Sequence, residues 1–341
     1  MLHPPSGLLY LACSSPTERQ HWLPALEVLQ GNKALFDDYI ATYDPATGAV
    51  TRLTFSGFPT SQGYGSHGLD VVPSAADPKE LFIYAVNHRK PIHGQAKLVG
   101  ADSVVEIFKT TVGGNTLTHV RTIESPIINT PNDLVGSPDG KSFYFTNDHG
   151  VKTGYVRRTY LGLPVAYLFS QTRYLEFLGL ARTSVGYCHV DEGCKIAMDG
   201  LHGSNGIARA QNGTVYVANS KSGRIYVLEE QNDHSLVLVD AIAFGAFAGI
   251  LRCSVLLLNP FLGTADRPLD NLSIDADEAL WAAGIPDKLG FISAYYDLER
   301  VAPSSAIRVT KNVGNEAFFG EKLKVDKVRR HNHCVTQAEA Q

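Results

Sequence analysis

Short runs of alternating apolar and polar residues, each closed by a polar turn, recur along most of this chain. Such alternation puts one side chain in two on a buried face and predicts strands joined by tight turns. Four stretches repeat a longer pattern. The clearest pair is Asn132-Asp-Leu-Val-Gly-Ser-Pro-Asp-Gly-Lys-Ser-Phe-Tyr-Phe-Thr-Asn147 and Asn205-Gly-Ile-Ala-Arg-Ala-Gln-Asn-Gly-Thr-Val-Tyr-Val-Ala-Asn219. In both, a turn glycine (Gly140, Gly213) falls eight residues after the leading Asn. Asn271 to Gly284 repeats the pattern without the glycine, and His67-Gly-Leu-Asp-Val-Val72 with Leu81-Phe-Ile-Tyr-Ala-Val-Asn-His88 repeats it with a longer turn. The leading residues lie 65, 73 and 66 positions apart. A strand, a polar turn and an aromatic-rich return strand make half of a four-stranded blade, so recurrence at this period predicts an all-β propeller.

Between the repeats lie the outer hairpins. Tyr39-Ile-Ala-Thr-Tyr43 and Ala49-Val-Thr-Arg-Leu-Thr54 flank the turn Asp44 to Gly48. Val104 to Lys109 and Leu117 to Ile123 flank Gly113-Gly114-Asn115, and Arg224 to Glu229 pairs with Leu236 to Asp240. Two stretches break the rhythm. Residues 155–180 read as an apolar helical insertion, wide enough for a cap. Residues 244–264 have neither alternation nor turn residues, and read either as a buried insertion or as translated sequence that is normally removed; the second is favoured.

The innermost strand of each propeller blade starts near the central channel, so the leading residues are expected to converge. A ring of amide and carboxylate oxygens there suits a hard cation such as calcium. Bulk properties exclude other classes. A formal net charge of −4, with no basic block, argues against nucleic acid as a partner. No run of about 18 apolar residues exists, so no spanning helix is expected. The five cysteines (Cys13, Cys188, Cys194, Cys253, Cys334) show no CxxC spacing and read as mostly free. Sequons at Asn212 and Asn271 matter only in a secreted chain.

Six motifs, Ser66-His-Gly-Leu69, Ala85-Val-Asn-His88, Pro131-Asn-Asp-Leu-Val135, Thr146-Asn-Asp-His149, Ser204-Asn-Gly-Ile207 and Leu269-Asp-Asn-Leu-Ser273, occur in one order and spacing. In this the chain resembles the serum paraoxonase/arylesterase family of calcium-dependent lactonases, which are six-bladed propellers. The resemblance implies a catalytic calcium held by Asn132, Asn205, Asp270 and Asn271, and a second, structural calcium held by Asp133 and the Leu69 carbonyl. It implies a histidine dyad, His67 and His88, with Asp148 as supporting carboxylate, acting on a small lactone or ester. A dyad histidine with a pKa near neutrality would take a proton from the attacking water. A propeller that binds without catalysis, and a strictosidine-synthase-like propeller, are the other readings; the histidines beside the Asn/Asp ring favour the hydrolase.

The pattern also predicts what is missing. If Gly7 is the first blade's turn glycine, its leading residue falls just before Met1, where the family has an acidic pair serving both ions. The next leading position after Asn271 falls near 336, in a polar tail (328–341) without alternation. A single propeller domain over 1–327 is therefore expected to be incomplete at its closing seam, poorly stable and weak in calcium binding. The family's seam disulfide has no counterpart at either end.

Overall fold

The computed structural model describes residues 1–152, 159–160, 163–164, 176, 180–243, 268–312 and 323–331. The chain divides into two compact units, Met1–Leu201 and His202–Gln341. The first holds three propeller blades in which strands follow one another in chain order from the innermost outward. These are Leu2–His3, Leu8–Cys13, Tyr39–Tyr43 and Val50–Arg52; then Ser66–Pro73, Glu80–Arg89, Asp102–Thr111 and Thr116–Ile123; then Pro131–Gly136, Ser142–Asn147, Thr183–His189 and Gly193–Leu201. A short strand, Thr54–Ser56, leaves the first blade and pairs parallel with the outer strand of the second, covering that edge. The second unit holds two blades: Ser204–Arg209, Val215–Asn219, Arg224–Glu230 and Leu236–Ala243, then Leu269–Ile274, Leu280–Gly284, Ser304–Lys311 and Leu323–His331.

Alternation explains how the blades stack. Along Glu80–Arg89, Phe82, Tyr84 and Val86 enter the core shared with the third blade, with Leu134, Phe143 and Phe145. Leu81, Ile83 and Ala85 point the other way, into the core shared with Tyr10 and Ile40 of the first blade. Successive side chains leave opposite faces of a strand, so one strand joins two cores. Fully buried side chains of this size contribute about 1.5–3 kcal/mol each. Ala208, Ile225, Leu272 and Ile307 make the corresponding core in the second unit. Its one described long helix, Lys288–Tyr296, starts at Asp287, whose carboxylate accepts the Gly290 N–H at 2.9 Å.

The turn glycines read from the sequence hold: Gly7, Gly140 and Gly213 have φ of +71°, +72° and +87°. Several expectations change. The first blade has a two-residue leading strand, Leu2–His3, where none was expected. The polar tail does not begin at 328, because Leu323–His331 pairs antiparallel with the whole of Ser304–Lys311 and supplies that strand's outer partner. Cys188 and Cys194 form a disulfide, while Cys13 is free. The two lie six positions apart, and only the hairpin register sets them directly opposite each other. Five blades are described, against six expected. The helical insertion lies largely outside the described residues, which there include a short pairing of Thr159–Tyr160 with Leu163–Pro164. Residues 244–264 lie outside the described residues entirely.

Candidate active site

Each of the four repeat heads is a β-bulge. Ser66 pairs with Asn87 and Leu69 with Ala85, leaving His67 and Gly68 opposite Val86 alone. The same break falls at Asn132–Asp133, at Asn205–Gly206 and at Asp270–Asn271. A bulge inserts a residue, bends its strand and re-aims the side chains it carries. The repeat therefore delivers two polar or small residues at the head of each inner strand, lifted out of the ladder.

The glycines in these bulges are needed for close approach. A Cβ on Gly68 would lie 2.4 Å from the Asn132 carbonyl oxygen and 2.9 Å from the Asp133 carboxylate. A Cβ on Gly206 would lie 2.5 Å from the Asn271 Cα and 2.6 Å from the Asp270 carbonyl oxygen. In both units the neighbouring inner strand passes directly over the glycine.

Around the first of these contacts the structure joins four of the sequence-predicted residues. His67 Nδ1 and His88 Nε2 are 2.9 Å apart, with the rings inclined at 65°. The Asn132 amide nitrogen lies 3.5 Å from His67 Nε2 and donates to Asp148 Oδ2 at 3.3 Å. His88 Nδ1 lies 2.8 Å from Ser103 Oγ. The result is an unbroken polar chain from Ser103 through His88, His67 and Asn132 to Asp148. His88 is buried and also fixed through its backbone, its carbonyl accepting from Trp22 Nε1 at 2.7 Å and its N–H donating to the Gly65 carbonyl at 2.8 Å.

Burial, then His88 and the Arg19 charge, hold His67 well below the usual imidazole pKa. Burial, Arg19 and Lys152 push His88 down to about 3. Both rings are therefore neutral at pH 7. The expected near-neutral pKa is corrected downward because desolvation penalises the imidazolium.

The remaining residues divide between the units. Asp133 is buried, its N–H donating to Thr146 Oγ1 at 3.2 Å. Leu69 closes the bulge and packs against the core between the first two blades. Neighbouring Asp70 accepts the Gly136 and Val71 N–H groups, each at 2.8 Å. Asn205, Asp270 and Asn271 sit together on the inner strands of the second unit, where burial raises the Asp270 pKa. Asp148 Oδ1 is buried without a hydrogen-bond partner.

Ser103 was not read from the sequence, and neither was a set of buried asparagines that supports the heads. Asn87 accepts the Gly65 N–H, Asn147 accepts those of Asn129 and Thr130, and Asn219 accepts those of Lys221 and Ser222. Asn87 is held in turn by Glu106, which also binds His119 and Thr122. Each asparagine lies on a return strand opposite the residue just before the bulge, a periodicity visible in the sequence. The role was not visible, because it depends on which backbone each one faces. Among the described residues no three His, Cys, Asp or Glu side chains form a metal-binding group, and no helix is long and apolar enough to cross a membrane.

The family model described as Arylesterase matches residues 39–254. Serum paraoxonase/arylesterase 2 of Gallus gallus is 25% identical over 277 residues, covering 80% of this chain and 62% of that protein. Serum paraoxonase/arylesterase 1 of Homo sapiens is 24% identical over 287 residues, covering 84% of this chain and 64% of that protein. The chain thus spans less than two thirds of these relatives' own length. Among solved structures, a calcium-binding regucalcin from Agrobacterium tumefaciens is 12% identical at a TM-score of 0.41, covering 97% of this chain and 88% of that one.

Proposed function

Since the chain belongs to the arylesterase family, we propose that it is a calcium-dependent hydrolase of lactones or aryl esters. The observation that carries this reading is the polar chain Ser103–His88–His67–Asn132–Asp148, built at the bulged heads of two adjacent blades.

Calcium fits the residue types at the other heads. In the second unit Asn205, Asp270 and Asn271 offer oxygens, the donors a hard cation prefers, and two of the three are neutral; in the first unit Asn132 offers one as well. An amide-rich set of this kind contains no cluster of three titratable groups. Burial raises the Asp270 pKa, so its carboxylate is desolvated at a cost that a bound cation would offset. The orphaned Asp148 Oδ1 carries the same kind of unmet demand in the first unit. Asp133 and the Leu69 carbonyl are the candidates for a second ion. Calcium held by such oxygens would supply positive charge to the ester carbonyl oxygen as it becomes an oxyanion.

The chain's own groups do the rest. Neutral His67 with Nε2 unprotonated would accept a proton from a water that displaces the long 3.5 Å contact of the Asn132 amide, which Asp148 holds on its other side. His88 holds the other side of the His67 ring. Low basicity limits this pair as a proton acceptor, so the attacking water must itself be acidified for the step to be fast at pH 7.

The experiment is hydrolysis of a lactone and an aryl ester by the full chain, with calcium, with EDTA, and with calcium restored. Activity lost on chelation and regained on add-back is expected. Undiminished turnover in the chelated sample would rule out the metal-assisted reading.

A further inference from the structure

The two histidines form a chain of three ring contacts whose direction is fixed at one end. Asp148 offers only acceptor oxygens when ionised, so the side of Asn132 that faces it is the NH2 group. That same NH2 faces His67 Nε2, which must therefore be the unprotonated nitrogen of the ring. A neutral imidazole carries one proton, so His67 Nδ1 holds it and donates to His88 Nε2. His88 Nε2 is then an acceptor, and its proton sits on Nδ1, directed at Ser103 Oγ.

We propose that Ser103 is a positioning residue for the histidine pair: its hydroxyl accepts the His88 Nδ1 proton that the Asp148–Asn132 end of the chain directs there, and so supports the tautomer chain that leaves His67 Nε2 unprotonated. This deepens the hydrolase reading and rests on it for its catalytic meaning. The placement is built into the sheet. Ser103 is the cross-strand partner of His88 in the ladder between the second and third strands of the second blade, and it is buried. Its hydroxyl is held by the same backbone register that holds the ring. Without it, His88 Nδ1–H would be a buried donor without the hydroxyl that accepts it, and the alternative tautomer, opposed by the Asn132 NH2, would be less disfavoured. That alternative has Nε2–H on His88 facing Nδ1 of His67, which would move the His67 proton to Nε2 and close the acceptor. The two neutral forms are isomers related by moving one proton along each ring, so nothing is oxidised or lost.

The test reads the rings directly. In the full chain with calcium present and histidines labelled with nitrogen-15, imidazole shifts should show His88 protonated at Nδ1 and His67 protonated at Nδ1. Ser103→Ala should move His88 toward the Nε2-protonated form and lower kcat about tenfold, with KM within about twofold, as the loss of one hydrogen bond worth about 1.4 kcal/mol predicts. Ser103→Thr, which keeps the hydroxyl, should restore both the shifts and kcat. Wild-type His88 protonated at Nε2 overturns the proposal, and so does an alanine variant with unchanged His88 shifts. The wild-type measurement decides the matter even if the alanine variant does not fold. If the wild-type chain hydrolyses nothing, the hydrolase reading falls while the ring shifts still judge Ser103.

Discussion

The two units place the same structural device in opposite electrostatic circumstances. In Met1–Leu201 the bulged heads and the strand ends beside them hold one another, His67 to His88 and Asn132 to Asp148, with both rings neutral. In His202–Gln341 the Asp270 carboxyl sits in a bulge of the same register, but burial pushes its pKa up. A repeat therefore specifies where a side chain is delivered, and the local partners decide what that position needs. The first set is organised by hydrogen bonds within the protein. The second carries a desolvation cost that a cation would offset.

The largest expected effect tests the second half of that contrast. Asp270→Ala should remove calcium binding in a titration and bring lactone hydrolysis to background, with no recovery on adding calcium. Retained binding would show that the ion is not held there. On the other side, His67→Gln should lower kcat by roughly 100-fold or more, the usual scale for a lost general base, while calcium affinity stays within about twofold. Equal loss of both would mean that Asp270 and His67 do not have separate roles.

Gly68→Ala and Gly206→Ala probe what the units share. Each forces a methyl group against a neighbouring backbone and should destabilise the fold by about 1–3 kcal/mol in urea unfolding. If only one does so, the close approach is not a common rule of the repeat. The smallest and most gradual effect concerns pH. The unfolded His88 binds a proton below about 6.5, whereas the folded one resists until about 3. Stability should therefore fall as pH drops through that window, because the unfolded state takes up more protons. His88→Gln should flatten the decline between pH 6.5 and 4, read as the shift of urea midpoints; an unchanged slope would place the neutral histidine pair in doubt.

Much of this was legible in the chain. Strand, turn and return strand at a fixed period gave the blades, and the residues heading the repeats fall at the bulges. His67, His88, Asn132 and Asp148, grouped by the family resemblance, lie within one polar chain. The bulges were not legible, because a two-for-one register break leaves no mark on alternation beyond one extra residue. Nothing in the sequence marks Gly68 and Gly206 as the spacers for a neighbouring backbone that they prove to be. Ser103 was invisible because its partner is fixed by the register of a long ladder, which sequence distance does not reveal. The depressed histidine pKa values and the Cys188–Cys194 bond likewise depend on what burial and hairpin pairing bring together.

The crossing at Gly68 makes the site a coincidence detector for folding. His67 and His88 belong to one blade, Asn132 and Asp148 to the next, and the strand heads meet only when those two blades have docked. A nascent or partly opened chain with the second blade formed but the third detached would carry a histidine pair with no amide to orient it. Hydrolytic competence should then appear late in folding and vanish early in local opening, ahead of any loss of the blade cores. Amide exchange at the two bulges would report on that opening, and inactivation should follow its rate rather than the rate of global unfolding.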